Sequence, residues 1–149
     1  MDSGPALAQT SLAVRGGIGV QGQITALYAG LSALLLIALS VNVIRFRFSE
    51  GVGIGDGDKP MLRRAIRVHG NFAEFVPLAL LLIYLVEVTG HSAWQVHALG
   101  AALVAGRAAH AIGLTGSDGG SPGRAIGMAL TFAVLAVAAV MLIIAFLAR

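Results

Sequence analysis

Apolar residues fall in four long runs along this chain, separated by short stretches rich in glycine, aspartate, arginine and lysine. About twenty apolar residues, each rising about 1.5 Å in a helix, cover the roughly 30 Å hydrocarbon core of a bilayer. The pattern predicts helices over about residues 24–44, 59–86, 93–114 and 124–147. In lipid the backbone must satisfy its own hydrogen bonds, so runs of this length are read as helices. The expected fold class is an all-α membrane protein, a four-transmembrane-helix bundle. Asp58 is placed to cap the second helix, with Pro60 in its first turn. Pro77 should bend that helix by freeing the carbonyl of Ala73. Gly113 or Gly116 should end the third helix.

Residues 1–23 precede the first run and carry Gly16, Gly17, Gly19 and Gly22, so a flexible tail is expected ahead of one membrane domain over 24–149. The stretch Ala6-Leu7-Ala8 resembles a signal-peptidase site, but no basic segment followed by an apolar one precedes it. The run Gly53-Ile54-Gly55-Asp56-Gly57-Asp58 superficially resembles a phosphate or calcium loop. No strand leads into it and the later ligands of a calcium loop are missing. A flexible connection is the expected reading, since glycine and aspartate are ordinary turn residues.

Composition agrees with a membrane setting. Hydrophobic residues make up 57% and charged residues 11%, against about 25% charged in soluble domains; mean hydropathy is +0.86. The net charge of +3 does not point to nucleic acid, because the basic residues sit at the ends of apolar runs, where they anchor membrane helices. With no cysteine, disulfides and thiolate chemistry by the protein itself are excluded. Arg45, Arg47, Lys59, Arg63 and Arg64 flank the first loop and Arg124 the third, whereas the tail, second loop and C-terminus hold Arg15 and Arg149. The positive-inside rule then predicts cytoplasmic first and third loops, with both termini outside.

Candidate chemistry lies in the second and third helices. At about 100° per residue, Arg63, Arg67, Asn71 and Glu74 fall within an arc of about 80°, with Gly70 beside them. Measured from Asp58, Arg67 lies about 13 Å and Glu74 about 24 Å along the helix, which puts the carboxylate inside the membrane. On the third helix Arg107 and His110 are three apart and share a face. Arg107 lies about 11 Å from the end of its helix near Leu114, at nearly the depth of Arg67. Two arginines, a glutamate, an asparagine and a histidine are therefore expected to meet between helices. A structural ion-pair network is one reading. However, buried ion pairs stabilise poorly, and cation exceeds anion, which favours a site for an anionic ligand. His69 points about 200° away from Arg67; a haem held by His69 and His110 is a further alternative, and no other metal ligand set stands out.

These residues resemble the MAPEG family, the membrane-associated proteins of eicosanoid and glutathione metabolism. The family's second-helix signature is matched by Arg67, Asn71, Glu74, Phe75 and Pro77. The stretch from Gly55 to Glu74 and the opening Thr25-Ala26-Leu27-Tyr28-Ala29-Gly30-Leu31 look like its bacterial branch. The resemblance implies a homotrimer of four-helix protomers in a bacterial inner membrane. It implies glutathione as co-substrate between subunits, without a metal, and a transferase or peroxidase acting on lipophilic electrophiles dissolved among the membrane lipids. By position Arg67, Asn71, Glu74, Arg107 and His110 would bind the tripeptide, joined by Arg47 from a neighbouring subunit. Arg124 would stabilise the thiolate. Leu114 stands where the eicosanoid branch often has tyrosine, and the following loop lacks the additional arginines found there. A non-catalytic binding or scaffold protein is thus an alternative. So is a small four-helix drug exporter, although such exporters need a titratable membrane carboxylate, usually in the first helix, and none is present there.

Overall fold

The computed structural model describes residues 22–115 and 121–148, without the side chains of Leu114 and Thr115. Four helices follow in order: α1 Gln23–Glu50, α2 Pro60–Val88, α3 Ala93–Thr115 and α4 Pro122–Leu147. The expected tail, most of the third loop and the stop at Gly116 lie outside the described residues. α3 runs straight through Gly113.

The ends of the helices differ from expectation in two places. α1 continues six residues past Ile44, because Arg45 and Arg47 are good helix formers and leaving the hydrocarbon does not end a helix. It stops at Gly51, whose left-handed φ of 67° turns the chain and whose N–H donates to the Arg47 carbonyl. The cap of α2 is Lys59, not Asp58. Asp58 takes a left-handed φ of 56° and its carboxylate receives Arg63 Nη2 at 3.0 Å. Pro60 occupies the first turn, and α2 stays helical through Pro77.

The first loop is not a free connection. Arg47 Nη1 donates to the carbonyls of Gly53 at 3.1 Å and Gly55 at 3.0 Å, with Val52 more distant at 3.4 Å. Arg63 also donates to Asp56, and Lys59 pairs with Glu50 at 3.2 Å. Guanidinium groups thus occupy the carbonyls and carboxylates that suggested a cation loop. Hydrogen bonding from Arg63, the largest effect, holds the Asp56 carboxyl below its ordinary value of 3.8.

α2 and α3 form the middle of the bundle. α1 packs on both from one side and α4 from the other, and α1 and α4 do not meet among the described residues. The core joins Phe72, Val76 and Ile83 of α2 to Val96 and Leu103 of α3 and Val134 of α4. Glycines set the closest approaches. A Cβ on Gly100 would stand 2.1 Å from the Tyr28 ring, and one on Gly127 would stand 2.5 Å from the Gly106 carbonyl oxygen. Close helix packing through small residues is a common device in membranes, where helices gain little from excluding water.

Three helices, α1, α2 and α4, are long and apolar enough to cross a membrane. α3 is diluted by Gln95, His97, Arg107 and His110, yet its 23 residues reach about 34 Å. Large apolar side chains such as Leu34 at 66% and Ile144 at 60% stand exposed on α1 and α4, as lipid-facing positions require. The protein is a helical membrane bundle, as the pattern of apolar runs predicts.

Candidate functional site

α3 delivers a buried cation to the middle of the bundle. Arg107 is 2% exposed. Its Nη1 donates to Asn71 Oδ1 at 2.7 Å, and its Nη2 donates to the Gly127 carbonyl at 3.0 Å and lies 3.5 Å from Met128 Sδ. The close approach of Gly106 to α4 makes this reach possible, because a side chain on Gly127 would collide with backbone of α3. Thr131, fully buried, donates its hydroxyl to the same Gly127 carbonyl at 2.8 Å. Arg107 Nε is buried with no acceptor.

Among the described residues no carboxylate meets this guanidinium. The ion pairs among the described residues all lie at the first loop, between Lys59 and Glu50 and between Arg63 and the aspartates 56 and 58. A buried charge is costly unless it is paired and fully hydrogen-bonded. Among the described residues Arg107 has neutral partners alone, and its Nε–H has no acceptor.

Beside Arg107 opens a cleft of about 400 Å³ lined by Asn71 of α2, His110 of α3, and Ser121, Arg124, Ala125 and Met128 at the start of α4. The start of α4 is placed by Ser121, which has an extended backbone as its N-cap, with Pro122 following. The Ser121 hydroxyl donates to the Gly113 carbonyl at 2.7 Å and accepts from the Arg124 N–H at 3.4 Å. A Cβ on Gly113 would stand 2.6 Å from the Arg124 nitrogen, so glycine at this point allows the first turn of α4 to lie against α3. Arg124 is thereby brought to the rim of the cleft.

The structure brings together four of the residues singled out from the sequence: Asn71, Arg107, His110 and Arg124. Arg67 and Glu74 lie apart from them, exposed on the outer face of α2. Phe72 and Val76, buried in the core, lie about 140° and about 180° round the helix from Arg67. The polar stripe of α2 therefore faces away from the protomer's own core, and its edge at Asn71 is what touches Arg107. Neither a hydrogen bond nor an ion pair joins Arg67 or Glu74 to another described residue. Arg47 serves the first loop, as described above. Ser121, Gly127 and Met128 belong to the site without having been anticipated; the sequence Ser121-Pro122 is a helix-start signal that could have located the first.

The class defined by these features is a four-helix membrane protein with a buried arginine, unpaired with any acid among the described residues, behind a cleft that carries polar side chains. The sequence model described as MAPEG family matches residues 25–144, and the chain belongs to the MAPEG family. Two relatives from different strains of Escherichia coli, each described as inner membrane protein YecN, are 46% identical over 90 residues, 60% of this chain and 69% of the relative. No solved structure matches the chain.

Proposed function

We propose that this protein binds glutathione in the membrane and uses it as a transferase or peroxidase towards lipophilic electrophiles. The observation that carries this reading is the buried Arg107 guanidinium, without a carboxylate partner, beside a cleft lined by Asn71, His110 and Arg124. A surplus cation in an apolar surrounding favours an anionic ligand, and a tripeptide with two carboxylates suits arginine and amide donors. Membership of a family known for glutathione chemistry supports the same ligand.

The exposed stripe of Arg67 and Glu74 fits this reading. Charged groups inside a membrane face a partner or a polar cavity, not lipid, so the outer face of α2 is covered by a second copy of the chain in a homotrimer. Glutathione then lies between the Asn71 cleft of one protomer and its neighbour, with Arg67 and Glu74 on its border and Arg47 supplied across the interface. In the reaction the thiolate sulfur attacks an electrophilic carbon and displaces the leaving group; with an aryl chloride the products are the thioether and chloride. With a peroxide, two thiols become one disulfide while the peroxide is reduced to an alcohol and water. The description of the relatives as inner membrane proteins supports the same location here, and the arginine and lysine distribution supports cytoplasmic first and third loops.

Titration of detergent-purified protein with glutathione in a calorimeter tests the binding. Saturable heat that weakens at least tenfold in Arg67→Ala is expected; no heat, or binding indifferent to Arg67→Ala, overturns the reading. A second reading, a non-catalytic binding protein, is favoured by Leu114, which offers no phenol where the eicosanoid branch of the family often has tyrosine. Turnover of an activated aryl chloride separates the two.

A further inference from the structure

Arginine carries five N–H donors and no acceptor, whereas a side-chain amide has a carbonyl at one end and an NH₂ group at the other. Arg107 therefore decides which end of Asn71 faces it. Its Nη1 stands 2.7 Å from Asn71 Oδ1, so the carbonyl end turns towards α3. The Asn71 amide nitrogen donates to no described residue, and Asn71 lines the cleft. Arg107 is not itself part of the cleft wall. Its other terminal nitrogen is engaged by the Gly127 carbonyl and Met128, and with 2% exposure it cannot swing outward without breaking those contacts.

The Ser121 hydroxyl proton is already given to the Gly113 carbonyl. Of the remaining polar lining, Arg124 and His110 offer donors, whereas Ser121 offers lone pairs alone, one of which takes the Arg124 N–H. We infer that Arg107 is a positioning residue, which holds the Asn71 NH₂ group as a donor towards the cleft, so that the ligand group seated there is a carboxylate and not an ammonium. The identity of the ligand as glutathione rests on the reading above; the polarity of the Asn71 amide does not.

The test uses Asn71→Asp, which keeps the shape and still accepts from Arg107 but has no donor for the cleft, beside Asn71→Leu, which leaves Arg107 without its partner. Thermal unfolding of the detergent-purified protein should rank Asn71→Asp at or above the wild type and Asn71→Leu below it. Calorimetry with glutathione and with its diester, both carboxylates masked, should show the wild type preferring the free acid at least tenfold. Asn71→Asp should lose that preference while remaining folded. A purely structural role for the Arg107–Asn71 bond would change unfolding and leave the preference intact, which would overturn the inference. Equal melting of Asn71→Asp and Asn71→Leu below the wild type would overturn it too. If the wild type binds no glutathione, the proposed function fails, and the melting order still judges the orientation of Asn71.

Discussion

The Glu87 carboxylate at the end of α2 caps the start of α1: its Oε2 accepts the Thr25 hydroxyl at 2.6 Å and the Thr25 N–H at 2.8 Å. Its Oε1 accepts the N–H groups of Gly22 and Ile24, each at 3.0 Å. The first N–H groups of a helix lack partners within it, and they attract negative charge. A residue more than sixty positions away supplies what a neighbouring serine or aspartate ordinarily would. Replacing Glu87 with alanine should lower stability by about 1–3 kcal/mol, the range for losing a cap with charge-assisted bonds. Thermal unfolding in detergent should show Glu87→Ala below Glu87→Gln, because the amide keeps one acceptor. Equal melting of Glu87→Ala and the wild type would show that the cap contributes nothing.

Glycine substitutions should separate packing from binding. Alanine at Gly127 places a methyl 2.5 Å from the Gly106 carbonyl and 2.7 Å from the His110 nitrogen, both backbone atoms that cannot step aside. Overpacking of this kind destabilises by about 1–3 kcal/mol. Alanine at Gly70 meets Glu74 Oε1 alone, at 4.0 Å, and should fold as well as the wild type. Comparing the melting of the two variants checks the contrast. If Gly70→Ala nevertheless loses oligomer in crosslinking, the face of α2 carrying Arg67 is the covered one.

The first loop should hold its form down to acid pH. Arg63 lowers the Asp56 carboxyl below 3.8, so the folded group stays charged where the unfolded one begins to protonate. A depressed carboxyl adds stability that is complete above the unfolded value and disappears as pH falls through the folded one. Hydrogen exchange of residues 51–59 should therefore be flat from neutral pH to about 4 after correction for intrinsic rates, and rise below that. Asp56→Asn should exchange faster at every pH and lose the step.

Much of the bundle was readable from apolar runs, because a helix that faces lipid needs a long apolar surface wherever it packs. The stripe of Arg67, Asn71 and Glu74 followed from helical geometry alone. Which edge of that stripe would meet Arg107 did not, since the apolar positions Leu62, Ala65 and Val68 mark the buried face of α2 but not which helix lies against each edge of it. Glu87 escaped notice for a related reason. Local capping leaves a signal within three or four residues, whereas an acceptor brought in by the fold leaves none. Arg47 is a similar case: a basic helix end reads as a membrane anchor, and nothing nearby in sequence signals that its Nη1 also ties down its own loop carbonyls.

Arg124 supplies the sharpest test of chemistry, because its place at the start of α4, on the cleft wall with His110 and Asn71, suits stabilisation of a thiolate. A free thiol with a pKa near 8.5 is mostly protonated at neutral pH, and a nearby cation lowers that value. Each unit of lowering raises the thiolate fraction about tenfold below the pKa. If Arg124 does this, Arg124→Ala should bind glutathione nearly as tightly as the wild type but react about tenfold or more slowly at pH 7. The difference should close as pH rises past about 9, where the thiol ionises unaided. The measurement is the rate of aryl chloride conjugation against pH, with thiolate absorbance in the ultraviolet as an independent readout. An unchanged profile removes Arg124 from the reaction, and a uniform loss of rate at every pH assigns it to positioning and not to the thiol. Arg107 cannot take over the role, since Asn71 and Gly127 hold both its terminal nitrogens.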